Sequence, residues 1–484
     1  MAERRNTYTA VLFLIALFSA VVFLLLGIIP DCGGFLEESR PRHQSQLERK
    51  TKALPPEPVP FPGQRRDWIN RKDRLQEPQG RTCNLSIRGH AIRQVTYEDM
   101  DRAITEFIAS ADPAINEALD RNHTFIELYG GVQYLLGRRV IEDPNPQYTV
   151  VRLTDHLLTF ASLEPEPYSV TLRANEMIRF ARRVKAEYKI PILYVQAPSK
   201  LDVAPLPDGM TDFTDAEADR FMQILKNGKV DTLDLRTTFQ KAAEKDPEQA
   251  ETLFYHTDHH WTPAGAFLGY QALAQKLNRY PYRFKINEKV TDPDNFETYT
   301  FEEVFLGSQG RRVGTLYAGL DHFEVWSPKF STDFTYSVPI VGIKREGPFV
   351  TSLLFPERLA DTGLYETNPY TIYSGGDYLL TRAVNQNNPN GKRALVLRDS
   401  FGCALTPFLS LGCSEVDTID PRNFNGNQDT MMDFIDWLDP DVIIVLNSTG
   451  SLRVDKLFPY LPTARRDALA AKRAGVEVDD TSRS

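Results

Sequence analysis

The run His256-Thr257-Asp258-His259-His260-Trp261-Thr262 is the densest concentration of chemistry-bearing side chains in the sequence. Only eight histidines occur in 484 residues, and three of them fall within these few positions. Three readings compete. In the first, Asp258 and His260 form an Asp-x-His pair. The carboxylate orients the imidazole and stabilises its protonated form, and the imidazole acts as general base toward a nucleophile elsewhere. In the second, His256, Asp258, His259 and His260 ligate a metal, which needs further ligands and an open coordination position. No second acidic or histidine cluster has clear spacing to supply them. In the third, the run is a polar turn with one histidine capping the next helix. The first is preferred, and with it no metal and no diffusible cofactor is expected.

A base needs a nucleophile, and a serine hydroxyl is a poor one at neutral pH without a base beside it. Ser400 directly follows the apolar run Arg393–Leu397, in Arg398-Asp399-Ser400-Phe401-Gly402. A serine on a strand-to-helix turn projects its hydroxyl at the carboxyl edge of the sheet. Backbone N–H groups of that turn, around Gly402, can help hold an oxyanion. An Asp-Ser dipeptide alone reads equally well as a helix cap. The combination is more specific: Asp-x-His before a helix, then strand-Asp-Ser-Phe-Gly in the same α/β region.

The elements that must position these groups alternate along the chain. Thr171–Tyr188 is expected as a helix, with Ile178, Ala181, Val184 and Tyr188 on one face. The strand Ile190–Val195 and the loop Gln196–Lys200 follow it. Val230–Leu235 reads as a second strand. Thr262 caps, and Pro263 opens, a helix through Leu277. Arg393–Leu397, Glu415–Ile419 and Val442–Leu446 are further strands, the last two separated by a helix around Thr430–Leu438. Buried strands alternating with helices predict an α/β fold: a mostly parallel sheet covered on both faces, with three α/β/α layers. Ligands then sit at the carboxyl ends of the strands, near Ala197–Lys200, Asp399–Gly402 and Asn447–Gly450. Residues 281–392 break the rhythm and are expected to form an inserted, mainly β lobe.

Composition narrows the function classes. With 56 Lys and Arg against 65 Asp and Glu, the net charge is −9, which is the wrong sign for a nucleic-acid binder. A mean hydropathy of −0.36 excludes a polytopic membrane protein. Four cysteines, Cys32, Cys83, Cys403 and Cys413, are too few for a disulfide scaffold, although a Cys403–Cys413 bridge is permitted outside the cytoplasm. Asn6–Pro30 carries no charge and Ala10–Ile29 is almost wholly apolar, long enough for one membrane span. Arg4 and Arg5 before it and Asp31 after it place the N-terminus inside. A cleaved signal peptide has a shorter apolar core and a small-x-small exit, which Ile28-Ile29-Pro30-Asp31 is not. The expected organisation is a cytoplasmic segment 1–6, an anchor 7–30, a tether 31–90 containing Pro55, Pro56, Pro58, Pro60 and Pro62, a catalytic body 91–462 and a polar tail 463–484.

The run Thr257-Asp258-His259-His260-Trp261-Thr262-Pro263-Ala264-Gly265-Ala266 resembles the signature of the bacterial DHHW proteins. Those are similar to the alginate O-acetyltransferase proteins, whose catalytic domain is a variant of the SGNH-hydrolase fold. Gln196-Ala197-Pro198-Ser199-Lys200, Asp399-Ser400-Phe401-Gly402 and Pro440-Asp441-Val442-Ile443-Ile444-Val445 support the resemblance, over roughly residues 90–460. It implies an SGNH-hydrolase-like domain with Ser400 as nucleophile, His260 as base and Asp258 as orienting acid. The Asp-x-His pair here precedes the serine, the reverse of ordinary SGNH hydrolases. Asn447 matches the oxyanion asparagine of those enzymes, or is a turn residue. Arg398 and Lys200 contact an anionic or sugar substrate, or are surface charge.

The resemblance implies O-acetyl transfer to a polysaccharide acceptor outside the cytoplasm, with a membrane-bound O-acyltransferase supplying the acetyl group. Two alternatives stay open: a polysaccharide acetyl-esterase with the same triad, and a non-catalytic polysaccharide-binding or export scaffold. The topology is directly testable. A reporter fused after Pro62 is expected to be active only outside the cytoplasm, and activity confined to the inside would reverse the orientation.

Overall fold

The computed structural model describes residues 123–154, 157–161, 164–359 and 363–458. The apolar stretch 7–30, the tether, the tail, Cys32 and Cys83 lie outside the described residues. Among those described, no helix is long and apolar enough to cross a membrane.

Helix α1 (Thr124–Leu135) precedes three short strands, β1 (Val140–Ile141), β2 (Val150–Arg152) and β3 (Leu158–Phe160), paired as a small antiparallel sheet. Then come α2 (Pro167–Glu187), β4 (Ile192–Gln196), α3 (Thr214–Asn227), β5 (Asp231–Asp234), α4 (Arg236–Lys245) and α5 (Pro263–Asn278). Strands β6 (Phe296–Phe305) and β7 (Asp321–Pro328) pair only with each other. They lead to β8 (Phe334–Val338), β9 (Ile343–Gly347) and β10 (Leu380–Asn385). The last stretch is β11 (Arg393–Arg398), α6 (Gly402–Gly412), β12 (Glu415–Ile419), α7 (Gln428–Leu438) and β13 (Val442–Asn447).

Eight strands form one sheet in the order β5-β4-β13-β11-β12-β10-β8-β9. The first five are mutually parallel. Alternate side chains enter opposite cores, as the pleat requires. Leu193, Val195, Val396 and Ile444 face the core shared with α5 and α6. Ile192, Tyr194, Leu395 and Ile443 face the core shared with α2, α3 and α7. This is the expected three-layer α/β/α arrangement.

Residues 281–392 depart in part from the expectation of an inserted, mainly β lobe. They are rich in strands, but β10 pairs antiparallel with β12, β8 with β10, and β9 with β8, so the stretch extends the main sheet. The physical reason is the open edge of β12, whose N–H and C=O groups would otherwise stay unpaired.

Helix α6 shows how tightly that region is tied in. Pro407 sits inside the helix and offers no N–H to the carbonyl of Cys403. Ser374 Oγ, from the 281–392 stretch, donates to that carbonyl at 2.9 Å instead. Cys403 and Cys413 stand at opposite ends of α6 as free, buried thiols. Ten residue steps along the helix put them about 15 Å apart, beyond the span of a disulfide, so the permitted bridge is not formed.

Phe408 on α6 is fully buried and its ring meets those of Phe267, Phe296 and Phe349 at 5.2, 5.9 and 6.0 Å. Phe408→Ala should cost about 3–5 kcal/mol, read from the denaturant midpoint at unchanged m-value. A loss under about 1 kcal/mol would show that this aromatic cluster does not carry the core.

Candidate active site

The histidine run is a closed loop. An antiparallel bridge joins Phe254 to Trp261, and the Tyr255 N–H donates to the His260 carbonyl at 3.2 Å. Thr262 then caps α5, its hydroxyl accepting from the Gly265 N–H, with Pro263 as the first helical residue. Inside the loop, the buried carboxylate of Asp321 accepts from the backbone of His256 at 2.6 Å. It also accepts from both the backbone and the hydroxyl of Thr257, at 2.8 and 2.6 Å. Gln309 and Gly310 donate their N–H groups to the Thr257 carbonyl. This wraps residues 307–310 over Asp258. A Cβ on Gly307 would stand 2.1 Å from that of Asp258, so only glycine permits the approach.

Within this frame, His260 Nε2 lies 2.7 Å from Ser400 Oγ, and His260 Nδ1 lies 2.5 Å from Asp258 Oδ2. The other carboxylate oxygen, Asp258 Oδ1, accepts the Ser308 N–H at 2.7 Å. Because the segment is a bent loop, residues two apart can face each other. Tyr370 stacks on the His260 ring at 3.8 Å and 11°, fixing its plane. Burial opposes ionisation of Asp258, but the neighbouring His259 and His260 hold its carboxyl well below the usual range. Burial, then the proximity of His259, pushes His260 below 6.5, while Asp258 pulls the other way. A neutral imidazole is therefore set against the serine hydroxyl, with a carboxylate behind it to stabilise the cation that proton transfer creates.

Ser400 sits in the turn between β11 and α6. Asp399, buried beside it, accepts from the Phe401 N–H at 3.0 Å, the Ser448 N–H at 2.7 Å and the Ser451 hydroxyl at 2.6 Å. It clamps the turn to the loop after β13. The indole N–H of Trp261 donates to the Phe401 carbonyl at 3.1 Å, joining the histidine loop to the serine turn.

Gly402, Arg398 and Lys200 lie differently from the sequence expectation. The Gly402 N–H donates to the Asp399 carbonyl at 3.1 Å and is not available to an oxyanion. A Cβ at Gly402 would meet the Arg398 side chain at 2.3 Å, so its role is close packing. The N–H of Ser400 itself has no acceptor among the described residues, and it is the backbone donor left in this turn. Arg398 is 0% exposed, with hydrogen bonds to Asp377 and to the carbonyls of Gly376 and Asp399. Lys200 is also buried and donates to the carbonyls of Leu158 and His256 and to Gln309 Oε1. Burial pushes its ammonium down to about 7. Neither cation faces substrate or open surface. Asn447 is buried beside Tyr194, its carbonyl accepts from Ala197 and Gln196, and no hydrogen bond joins it to Ser400.

Asp258, His259 and His260 offer atoms within 4.8 Å of one another that could hold a metal. His256 does not belong to that group, so the four-ligand reading loses a member. Asp258 and His260 are already committed to each other, to Ser308 and to Ser400.

Residues 244–418 match the DHHW protein family, and residues 166–299 match the SGNH hydrolase-like domain of the acetyltransferase AlgX. The resemblance read from the Asp-His-His-Trp run is thereby shown. The fold of this DHHW-like chain is similar to that of Bacillus cereus PatB1, solved with a sulfonyl adduct. Identity there is 18% and the TM-score 0.53, covering 66% of this chain and 98% of that one. It is also similar to a DHHW family protein from Eubacterium siraeum, at 18% identity and a TM-score of 0.50, covering 67% and 97%. No curated protein matches the chain.

The depressed His260 value has a measurable sign. In an NMR titration, His260 should be more than half neutral at pH 6.5. Its folded-state value lies below the unfolded one, so the unfolded chain binds that proton more readily. Stability should therefore fall as the pH drops from 6.5 through the folded value. A His260 titration above 6.5 would contradict this environment.

Proposed function

We propose that this protein is an extracytoplasmic O-acetyltransferase acting on a cell-surface or extracellular polysaccharide through an acyl-Ser400 intermediate. The observation that carries the reading is the unbroken path Ser400 Oγ to His260 Nε2, then His260 Nδ1 to Asp258 Oδ2. The match of residues 166–299 to the AlgX acetyltransferase domain supports the choice of acetyl chemistry.

In the first half-reaction, Ser400 Oγ attacks the donor's carbonyl carbon while His260 Nε2 takes the hydroxyl proton. The oxyanion forms against the Ser400 N–H. Its collapse breaks the bond to the donor's leaving oxygen, which takes the proton from His260. In the second half-reaction, a sugar hydroxyl gives its proton to His260 and attacks the acyl carbon. The bond to Ser400 Oγ breaks, and the proton returns to the serine. Asp258 holds the imidazole tautomer throughout and stabilises the transient imidazolium. Residues 7–30 anchor the chain with its body outside, and a membrane-bound O-acyltransferase delivers acetyl groups to that side.

A sulfonyl adduct is recorded for PatB1, which makes a sulfonyl fluoride a suitable probe. The expected outcome is stoichiometric labelling of Ser400, with hydrolysis of p-nitrophenyl acetate abolished in parallel. Ser400→Ala, His260→Ala and Asp258→Ala should each lower that activity by about 10⁴ or more, without adding, since the three act as one unit. His259→Ala should cost far less. Each variant needs a melting curve beside its rate. A folded His260→Ala that stays active while His259→Ala is dead would assign the wrong base. Acetate released to water even when glycan is present would favour the esterase.

A further inference from the structure

Beyond Ser400, a strip of partly exposed rings runs from the histidine loop to Phe160 on β3 and Tyr148 in the turn before β2. The His259 ring lies 3.8 Å from that of His260 and is 40% exposed at its side chain. The Phe160 ring follows at 6.4 Å from His259, and the Tyr148 ring at 5.9 Å from Phe160. Tyr148 is 36% exposed. Arg312 lies over Tyr148 at 3.8 Å, with one guanidinium nitrogen on Asp143 at 2.6 Å. Its remaining guanidinium hydrogens donate to no group among the described residues, and the side chain is 33% exposed.

We infer that Tyr148, Phe160 and Arg312 form the acceptor subsite, on which a pyranose ring of the glycan lies while a hydroxyl of that sugar or its neighbour reaches the acyl-Ser400. Three observations converge. The strip begins at His259, whose partly exposed ring lies against His260, the partner of Ser400. Partly exposed aromatic side chains can pack against the apolar faces of a sugar ring, as amphipathic aromatics do at other wet interfaces. Arg312 is pre-oriented by Tyr148 and Asp143, with donors left over for ring hydroxyls. Aromatics such as Phe305 and Phe323, from residues 281–392, lie in the core and are not part of this strip.

The inference rests on the acyl-Ser400 reading, and the test separates the two. Purified protein is acylated with p-nitrophenyl acetate, and transfer is followed by mass spectrometry to chitopentaose and to a galacturonate pentamer. Wild type should acetylate at least one of them. Tyr148→Ala should raise the oligosaccharide KM by about tenfold, while Tyr148→Phe stays near wild type. Arg312→Gln should also raise KM, and a preference for the galacturonate pentamer that disappears in this variant would identify a carboxylate, rather than hydroxyls, as the group Arg312 holds. p-Nitrophenyl acetate hydrolysis and melting temperature should be unchanged in all three variants. If wild type neither hydrolyses the ester nor takes the sulfonyl label, the acyl-enzyme reading fails. If it does both yet acetylates neither sugar, or if Tyr148→Ala leaves the sugar KM unchanged, the subsite is overturned while the acyl-enzyme stands.

Discussion

A carboxylate that stays charged while almost wholly buried is the constraint around which this molecule is arranged. Asp258 cannot keep its charge in a low-dielectric interior unless every lone pair that matters is satisfied. One oxygen takes His260, and the other takes the Ser308 N–H. The second bond requires residues 307–310 to lie flush against the loop, which requires glycine at 307 and the Thr257 carbonyl as an anchor. That loop is in turn held by the buried Asp321 from beneath. The geometry at Ser400 is the end of this sequence of requirements.

The serine side is built by a parallel logic. Asp399 gathers three donors and so fixes the turn against the loop after β13. Trp261 spans the gap between the two halves with a single indole hydrogen bond. The fourth letter of the Asp-His-His-Trp run thus has a physical role as a strut between the histidine loop and the serine turn. Its burial against Phe239 and Phe401 keeps that strut rigid.

Much of this was legible in the sequence, for identifiable reasons. Ile192–Gln196, Arg393–Arg398 and Val442–Asn447 are buried on both faces and read as continuous apolar runs. Thr262-Pro263 gave the start of α5 through local capping chemistry. Asp258, His260 and Ser400 stood out because their types are scarce or specifically placed. What stayed hidden depends on distance in sequence. Ser308 contributes only a backbone N–H, which no residue type announces. Asp321 and Tyr370 lie in a stretch whose alternating strands carry no helical rhythm. Lys200 and Arg398 looked like surface charge because nothing local shows that carbonyls from remote segments surround them. That β8 to β10 extend the main sheet is hidden in the sequence because the pairing of β10 with β12 is a long-range event.

The position of β13 has a consequence for how the protein comes into being. It is the last of the described strands along the chain, yet it lies between β4 and β11 in the middle of the sheet. During synthesis, the strand before the Lys200 loop and the strand before Ser400 cannot be bridged until β13 has emerged. The same late segment brings Ser448 and Ser451, which Asp399 needs to hold the serine turn. A nascent chain therefore carries Asp258 and His260 for somewhat under two hundred residues, and Ser400 for about forty, before the centre of the sheet is filled and the three can be held together.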